Sequence, residues 1–279
     1  MEKIIYSDEK KILKKIENIK KSWLENLHVL ADFDRTLTKA FYDWKMRPSL
    51  ISVLRDEWYL TEEYRKQAYA LKDKYYPMEI DLNLSFEEKN IAMTKWWNEH
   101  LKLLVDSWLS ENDIKKVINS WIIELRNWIK KFLNFLSENN VPLLIISANW
   151  LWTDSIKLYL ENEWFLTKNI HIISNSFKWW KDWKAVWYDK RVIHTFNKWE
   201  TVLEEFPEIF KEIKDRKNWI LLWDSLWDPH MSDWFDFENL VKIWFLNDKE
   251  DDLIWEYEKR YDLVLIWDGE WEVLNEILV

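Results

Sequence analysis

Short apolar runs alternate along the chain with longer stretches in which apolar residues recur at helical spacing. Each run is a few residues long and ends in polar residues, which is typical of a buried strand. The alternation of strands and helices predicts an α/β fold with a doubly wound, mainly parallel sheet. The predicted strands are Leu27–Ala31, Val141–Ile146, His171–Ser174, Trp219–Trp223, Leu240–Phe245 and Leu263–Ile266.

A Lys/Glu-rich amphipathic pattern over residues 8–26 predicts a helix before the first of these strands. Residues 45–127 show no strand pattern, and Ser and Thr residues suited to helix caps precede several amphipathic segments there. We expect a helical-bundle cap over 45–127, inserted into a core formed by 1–44 and 128–279. A helical subdomain without a role at the site is the alternative. The predicted cap helices are Leu50–Trp58, Thr61–Tyr75, Phe86–Val105 and Glu111–Ile129.

Charge and composition exclude several classes of function. The formal net charge of −10 argues against nucleic-acid polymers and anionic membranes as partners. The absence of cysteine excludes disulfides and thiolate metal sites. No apolar run approaches the roughly 20 residues of a membrane span, and the first residues lack the apolar core of a signal peptide. We expect a cytoplasmic, monomeric protein.

The balance of tryptophan and glycine is anomalous, with 24 tryptophans and 1 glycine. Glycine usually makes up about 7% of residues, and tryptophan is rare. Several tryptophans stand in loops that suit only glycine, such as Trp150, Trp152, Trp223 and Trp227, because such turns need positive φ or close backbone approach. We hypothesise that most of these tryptophans are glycine in the natural protein, encoded by UGA codons that the source reads as glycine.

A truly tryptophan-rich protein is the alternative to this recoding. In that case residues 176–191 would form an exposed aromatic cluster, whereas with glycine they become a Gly-rich hairpin.

Polar residues follow the predicted strands where each strand ends. The carboxyl ends of parallel strands meet at one edge of an open α/β sheet, which is where such proteins bind ligands. A lysine near the start of the predicted helix Thr201–Phe206 adds a positive charge. The candidate site residues are Asp32, Asp34, Ser147, Lys198, Asp224 and Asp228.

These residue types together favour phosphoryl transfer. Carboxylates hold Mg²⁺, which shares its oxygen ligands with phosphate. A lysine and a hydroxyl neutralise and orient phosphate oxygens. An aspartate can act as a covalent nucleophile and form an aspartyl-phosphate. Each motif alone could be a strand end with solvated acids, but four in order are a strong signal.

The DxDxT loop at Asp32–Thr36, with Ser147, Lys198 and the pair Asp224/Asp228, resembles the signature of the haloacid dehalogenase superfamily. From about residue 27 the chain more closely resembles the cytosolic pyrimidine 5′-nucleotidases of type III. The resemblance is carried by Asp32–Leu37, Lys74–Asp81, Met93–Trp97, Ser147–Ala148, His194–Lys198, Leu221–Asp228 and Lys242–Asp248.

The resemblance implies a haloacid dehalogenase-like core with a helical cap, and hydrolysis of small-molecule nucleoside 5′-monophosphates such as CMP or UMP. It also bears on the recoding, because Trp96 matches a family tryptophan whereas other tryptophans stand where the family has glycine. Those other positions are Trp44, Trp128, Trp187, Trp223, Trp227, Trp234 and Trp244.

The resemblance also implies roles for the acids. Asp32 would be the nucleophile, and Asp34 the acid that protonates the leaving oxygen and then activates water. Mg²⁺ would be held by Asp32, the backbone carbonyl of Asp34 and Asp224, with Asp228 orienting them from behind.

Substrate contacts are implied in the same way. Ser147, the Ala148 N–H and Lys198 would hold the phosphate, and Glu79 on the cap would recognise the base. His100 falls where the family has a substrate-contacting serine. As alternatives, Glu79 could be a solvated acid at a helix end, His100 a surface histidine, and Asp228 a cap.

Two other functions stay open at this point. Another phosphatase of the superfamily, acting on a sugar or amino-acid phosphate, would keep the core acids and use the cap differently. A non-catalytic binding module is the second, and the intact pair Asp32 and Asp34 argues against it.

Overall fold

A seven-stranded sheet forms the centre of the molecule, in the order β1-β11-β10-β9-β2-β5-β6. The computed structural model describes residues 4–22, 24–43, 45–81, 83–120, 122–149, 153–181, 183–188, 192–198, 206–224, 236–247 and 260–268. Its strands are β1 Ile4–Tyr6, β2 Leu27–Ala31, β5 Leu143–Ile146, β6 Ile170–Ile173, β9 Asn218–Trp223, β10 Asn239–Leu246 and β11 Leu263–Ile266.

Two small hairpins lie outside this sheet, formed by β3 Phe41–Tyr42 with β4 Lys45–Met46 and by β7 Phe177–Trp179 with β8 Ala185–Tyr188. The described helices are α1 Glu9–Lys21, α2 Leu50–Asp56, α3 Glu62–Ile80, α4 Phe86–Asp106, α5 Glu111–Ile118, α6 Ile129–Glu138, α7 Thr153–Asn162 and α8 Pro207–Ile213.

The sheet is parallel except at one edge, where β1 pairs antiparallel with β11. This confirms the predicted α/β fold. The edge strand β1 was missed, because a three-residue strand is too short to show a periodic pattern. The predicted helix Thr201–Phe206 lies largely outside the described residues.

Strand side chains alternate between two buried faces. Val29 and Ala31 of β2 point into a large cluster that includes the apolar face of α1 and residues of the cap helices. Leu30 points into a smaller cluster with Trp219 on β9 and Ile213 on α8. Because both faces are covered, the strands are nearly continuous apolar runs.

The helices α2 to α5 occupy the part of the chain predicted to be the cap, and most of their ends lie within two residues of the prediction, but the ends of α3 and α5 do not. Helix α3 continues past Pro77 to Ile80, so Glu79 lies in its last turn. The predicted helix Glu111–Ile129 ends at Ile118 instead. Residues 124–126 are extended, since their backbone pairs with residues 37–39 (Lys39 N to Glu124 O, 2.8 Å; Arg126 N to Leu37 O, 3.0 Å). The division of the chain at 45 and 127 stays a prediction.

None of the helices in the described ranges is both long enough and apolar enough to span a membrane.

Among the residues that the structure describes, five tryptophans adopt left-handed backbone angles, with φ between 59° and 67°. This conformation costs an ordinary residue about 1–2 kcal/mol and costs glycine nothing. Trp164 follows α7 and is 92% exposed, so no burial of its indole offsets that cost. The five are Trp58, Trp108, Trp164, Trp183 and Trp267.

Buried tryptophans at family glycine positions are also poorly accommodated. The indole N–H groups of Trp128 and Trp223 are buried without an acceptor, which costs free energy. Trp187 is exposed. These observations support the glycine recoding, which stays a prediction. The positions Trp44, Trp150, Trp152, Trp227 and Trp234 lie outside the described residues.

Trp164→Gly is expected to raise the free energy of unfolding by about 1 kcal/mol, because it removes left-handed strain and an exposed indole. The measurement is urea unfolding. Trp96→Gly is the matched control: Trp96 is buried within α4, so its loss should destabilise by about 3 kcal/mol or more. Destabilisation by Trp164→Gly would contradict the recoding.

Candidate active site

The carboxyl ends of three neighbouring strands meet at the centre of the sheet. Strand β2 lies between β9 and β5, with Leu30 paired to Leu221 on one side and to Leu144 on the other. Asp224, Asp32 and Ser147 directly follow these three strands. The prediction that these polar residues share one edge therefore follows from the strand order.

The acid loop, residues 32–38, turns sharply after β2. The Asp32 carboxylate accepts a hydrogen bond from the Phe33 N–H at 2.7 Å, which caps the turn. Arg35 has a positive φ of 58°, and its N–H donates to the Thr38 hydroxyl at 2.8 Å. The turn thus redirects the chain within a few residues and leaves Asp32 and Asp34 at the sheet edge.

Arg126 binds the backbone of the acid loop. Its guanidinium donates to the carbonyl oxygens of Thr36 (2.9 Å), Arg35 (2.6 Å) and Trp267 (3.0 Å). It also forms an ion pair with Asp268 at 2.9 Å. Burial lowers the pKa of Arg126 to about 10. The guanidinium is nevertheless still charged at neutral pH.

Lys198 forms a buried ion pair with Asp32, with 2.6 Å between Nζ and Oδ2. The lysine is 3% exposed, and its ammonium lies 4.7 Å from the ring centroid of Trp223. A charge this deeply buried needs a charged partner. The pair joins two segments 166 residues apart in sequence.

Asp34 lies next to the start of helix α2, where the Leu50 N–H approaches its Oδ1 at 3.4 Å. Burial, and then the charge of Asp32, raise the pKa of Asp34 to about 7. This carboxyl therefore carries a proton in a substantial fraction of molecules near neutral pH.

Asp224 is the third carboxylate at this edge of the sheet, and we refer to Asp32, Asp34 and Asp224 as the acid group. Its Oδ2 lies 3.5 Å from the amide nitrogen of Asn247. Burial, and then the charge of Asp32, raise the pKa of Asp224 to about 6. The negative charges at this edge are thus close enough to repel one another, and a cation placed among them would relieve that repulsion.

The donor set suits Mg²⁺. In the described part of the chain, no three His, Asp or Glu side chains could hold a metal by themselves. The predicted set needs only two carboxylates, from Asp32 and Asp224, with a backbone carbonyl from Asp34. Mg²⁺ is typically held by one or two carboxylates together with water and substrate phosphate. Asp228, predicted to orient these ligands, lies outside the described residues.

Ser147 begins the phosphate loop, which we define as residues 147–149. The Ser147 N–H donates to the Ile173 carbonyl at 2.9 Å, and its hydroxyl accepts from the Asn149 N–H at 3.1 Å. The Ala148 carbonyl accepts from the Trp97 indole N–H of α4 at 3.3 Å. Helix α4, in the predicted cap, therefore contacts this loop directly.

The lysine loop, residues 192–198, contacts helix α4 as well. The His194 Nδ1 accepts from the Phe196 N–H at 3.2 Å, which leaves the proton on Nε2 to be donated to the Thr94 hydroxyl at 2.9 Å. Burial lowers the pKa of His194 to about 3. The imidazole is therefore neutral and adds no second positive charge near Lys198.

Glu79 faces the same loop from the last turn of α3. The Thr195 hydroxyl donates to its Oε1 at 3.2 Å, and Lys89 Nζ donates to its backbone carbonyl at 3.0 Å. Burial raises the pKa of Glu79, opposed by Thr195 and by the charge of Lys198. The acid thus lies half-buried beside the lysine loop and is not a freely solvated helix end.

His100 lies deeper in the helical layer. Its Nε2 is 3.0 Å from the Tyr64 hydroxyl, a contact that joins α4 to α3. The side chain is buried, so the alternative of a surface histidine does not hold. Its contact with substrate stays a prediction.

Arg126 was missed at the sequence level, because one arginine in an apolar stretch shows no pattern. Its partners on the acid loop lie about 90 residues earlier in the chain. The unusual charge among Ile122, Ile123, Leu125 and Ile129 was the available signal.

The comparisons with known proteins agree on one family. The family model described as "Pyrimidine 5′-nucleotidase (UMPH-1)" matches residues 35–279. The chain is 34% identical over 261 residues to the human 7-methylguanosine phosphate-specific 5′-nucleotidase, covering 93% of this chain and 86% of that protein. It is 32% identical over 265 residues to the Xenopus laevis 7-methylguanosine phosphate-specific 5′-nucleotidase A, covering 95% of this chain and 90% of that protein.

A solved structure shares the whole architecture. The crystal structure of cytosolic 5′-nucleotidase IIIB bound to cytidine superposes with a TM-score of 0.87 at 26% identity, covering 98% of this chain and 92% of that one. A substrate-bound phosphoserine phosphatase, with a TM-score of 0.54 at 13% identity, covers 91% of this chain and 98% of its own, and shares the fold alone. The chain is therefore a 5′-nucleotidase of the haloacid dehalogenase type and belongs to the pyrimidine 5′-nucleotidase (UMPH-1) family.

Proposed function

We propose that the protein hydrolyses pyrimidine nucleoside 5′-monophosphates, such as CMP and UMP, to nucleoside and phosphate through an aspartyl-phosphate, with Mg²⁺ as cofactor. The carrying observation is the buried Asp32–Lys198 pair at the sheet edge, with Asp34 and Asp224 beside it. Membership of a nucleotidase family argues against the sugar-phosphate, amino-acid-phosphate and binding-module alternatives.

Asp32 is the proposed nucleophile. One carboxylate oxygen attacks phosphorus, a new O–P bond forms, and the bond from phosphorus to the 5′ oxygen of the nucleoside breaks. Lys198 suits this role because it holds the carboxylate in one orientation at 2.6 Å. The same ammonium can then share its remaining N–H groups with phosphate oxygens.

Asp34 is the proposed acid and base. Its place two residues after Asp32, in a turn at the same edge, lets it reach the leaving oxygen. It donates a proton to that oxygen in the first step. In the second step it removes a proton from the water that attacks the aspartyl-phosphate, so that Asp32 is regenerated.

The phosphate group is held by the Ser147 hydroxyl, the Ala148 N–H and Lys198 in this proposal. Mg²⁺, held by Asp32, the Asp34 carbonyl and Asp224, would neutralise phosphate charge and so stabilise the transition state. The cap residue Trp97, which contacts the Ala148 carbonyl, helps to exclude water from this group.

Glu79 is the proposed base-reading residue. A carboxylate accepts hydrogen bonds, so it favours an exocyclic amine such as that of cytosine. The related crystal structure of cytosolic 5′-nucleotidase IIIB is bound to cytidine.

A 7-methylguanosine 5′-monophosphate is the second candidate substrate, because the human and Xenopus laevis relatives are named for 7-methylguanosine phosphate. Its base is cationic and also presents N–H donors. Tyr75 lies one helical turn before Glu79 and stacks with Trp96 at 6.1 Å between ring centroids. A carboxylate near aromatic faces is suited to a cationic base.

Asp32→Asn is expected to reduce phosphate release from CMP by about 10⁴-fold or more, because a carboxamide cannot form the aspartyl-phosphate. Colorimetric phosphate release and circular dichroism measure activity and folding. Asp262→Asn is the control, since Asp262 pairs with Lys15 at the opposite end of the sheet. Substantial turnover by Asp32→Asn would rule out the covalent mechanism.

Removal of divalent cations with EDTA is expected to abolish phosphate release, and Mg²⁺ to restore it, because the acids repel one another and the phosphate charge without a cation. Turnover is assayed at fixed ionic strength. Full activity in EDTA would show that the acid group is not a cation site.

Glu79→Ala is expected to lower the ratio of kcat/KM for CMP to kcat/KM for ribose 5-phosphate by about 5- to 100-fold, through loss of a half-buried hydrogen-bond partner. Asp81→Asn, at the end of the same helix, is the control. An unchanged ratio would mean that Glu79 does not read the base.

Glu79→Gln separates the two candidate substrates in the same assay. It removes the negative charge and keeps a hydrogen-bond acceptor. We therefore expect kcat/KM for 7-methylguanosine 5′-monophosphate, whose base is cationic, to fall more than kcat/KM for CMP.

A further inference from the structure

Asn175 lies just beyond the carboxyl end of β6, between the phosphate loop and the lysine loop. It is 4% exposed, although no charged or catalytic role attaches to it in the proposed reaction. Burial of an amide is costly unless its donors and acceptors are satisfied. Its hydrogen bonds therefore show what the side chain does.

Both backbone groups of Ile193 bind the Asn175 side chain. The Ile193 N–H donates to Oδ1 at 2.8 Å, and Nδ2 donates to the Ile193 carbonyl at 2.9 Å. The amide thus binds the start of the lysine loop as a neighbouring strand would, with one donor and one acceptor.

The same Nδ2 also faces the phosphate loop. It lies 3.4 Å from the Ala148 carbonyl and 3.3 Å from the Asn149 carbonyl. These contacts are longer than those to Ile193, and together they place one NH₂ group among three carbonyl oxygens. One side chain therefore contacts both loops.

The position of Ile193 is transmitted to Lys198 within the lysine loop. The Asn197 side chain donates to the Val192 carbonyl at 2.7 Å and accepts from the His194 N–H at 2.8 Å. These two bonds close the loop on itself, so that its two ends move together. Anchoring at Ile193 therefore also fixes the base of Lys198.

We propose that Asn175 is a positioning residue that sets the separation between the phosphate loop and Lys198, and thereby the affinity for the phosphate group of substrate and product. The inference rests on the proposed function, in which Ser147, Ala148 and Lys198 hold that phosphate. Asn175 does not touch the phosphate and acts through the two loops that do.

Asn175→Asp tests this directly, because it keeps the shape and replaces the NH₂ donor with an oxygen that faces three carbonyl oxygens. Asn175→Ala removes the side chain without adding charge, and so keeps the test available if the aspartate variant folds poorly. Both should raise the KM for CMP and the inhibition constant of inorganic phosphate about tenfold or more. Steady-state kinetics with phosphate as product inhibitor measures both constants.

Asn169 provides matched controls at the other end of β6. It is 8% exposed, and its Nδ2 donates to the Val141 carbonyl at 2.7 Å, while its Oδ1 accepts from the Thr167 hydroxyl at 2.7 Å. Asn169→Asp and Asn169→Ala should lower the unfolding midpoint in urea by an amount similar to that of the corresponding Asn175 variants. They should leave the inhibition constant of phosphate within about twofold of the wild type, since Asn169 lies at the amino end of the strand.

Two results would overturn the inference. One is an inhibition constant of phosphate in the Asn175 variants that equals that of the wild type. The other is a rise of this constant in the Asn169 variants as large as that in the Asn175 variants. Either can occur while the wild type hydrolyses CMP, so the proposed function would survive. Failure of the proposed function is recognised separately, as absence of phosphate release from nucleoside monophosphates by the wild type.

Discussion

Repulsion among closely spaced carboxylates, of which Asp32 is buried and Asp34 and Asp224 are half-buried, is the constraint on which this sheet edge depends. Asp34 and Asp224 both have raised pKa values through burial and the nearby charge of Asp32. Two buried cations oppose this repulsion: Lys198 pairs with Asp32, and Arg126 binds the carbonyl oxygens of the acid loop from below. Because an unpaired buried charge is strongly destabilising, the segments that carry these cations must be held in place as firmly as the acids.

The fold could be predicted from the sequence because its signals are local. Apolar runs that end in polar residues identified β2, β5 and β9, and general rules for parallel sheets placed their ends together. The end of helix α5 could not be predicted. Residues 122–126 retain an apolar pattern, but the backbone of residues 124–126 pairs with residues 37–39, far away in sequence. Arg126 and Asn175 escaped for the same reason, since an arginine or asparagine acquires its role from distant carbonyl oxygens.

The tryptophans show the opposite case, in which composition anticipated a backbone property. A count of 24 tryptophans against 1 glycine suggested that many positions require glycine. The structure places five of the tryptophans in the left-handed region, where a side chain has a steric cost. At Trp96, which matches a family tryptophan, the residue instead lies inside helix α4 and is buried. A positive φ therefore marks tryptophan positions that suit glycine, whereas burial alone does not, because Trp128 and Trp223 are also buried.

The location of Asn175 at the end of β6 bears on how the protein loses activity. Strand β6 is the outermost strand on its side of the sheet and pairs only with β5 among the described strands. Edge elements open by local fluctuation at a lower free energy than the centre of a sheet. Fraying of β6 would release both loops from Asn175 while β2, β9 and β10 stay paired. Heat or mild denaturant should therefore inactivate the enzyme before its sheet unfolds, so that activity reports on one strand and not on the whole fold.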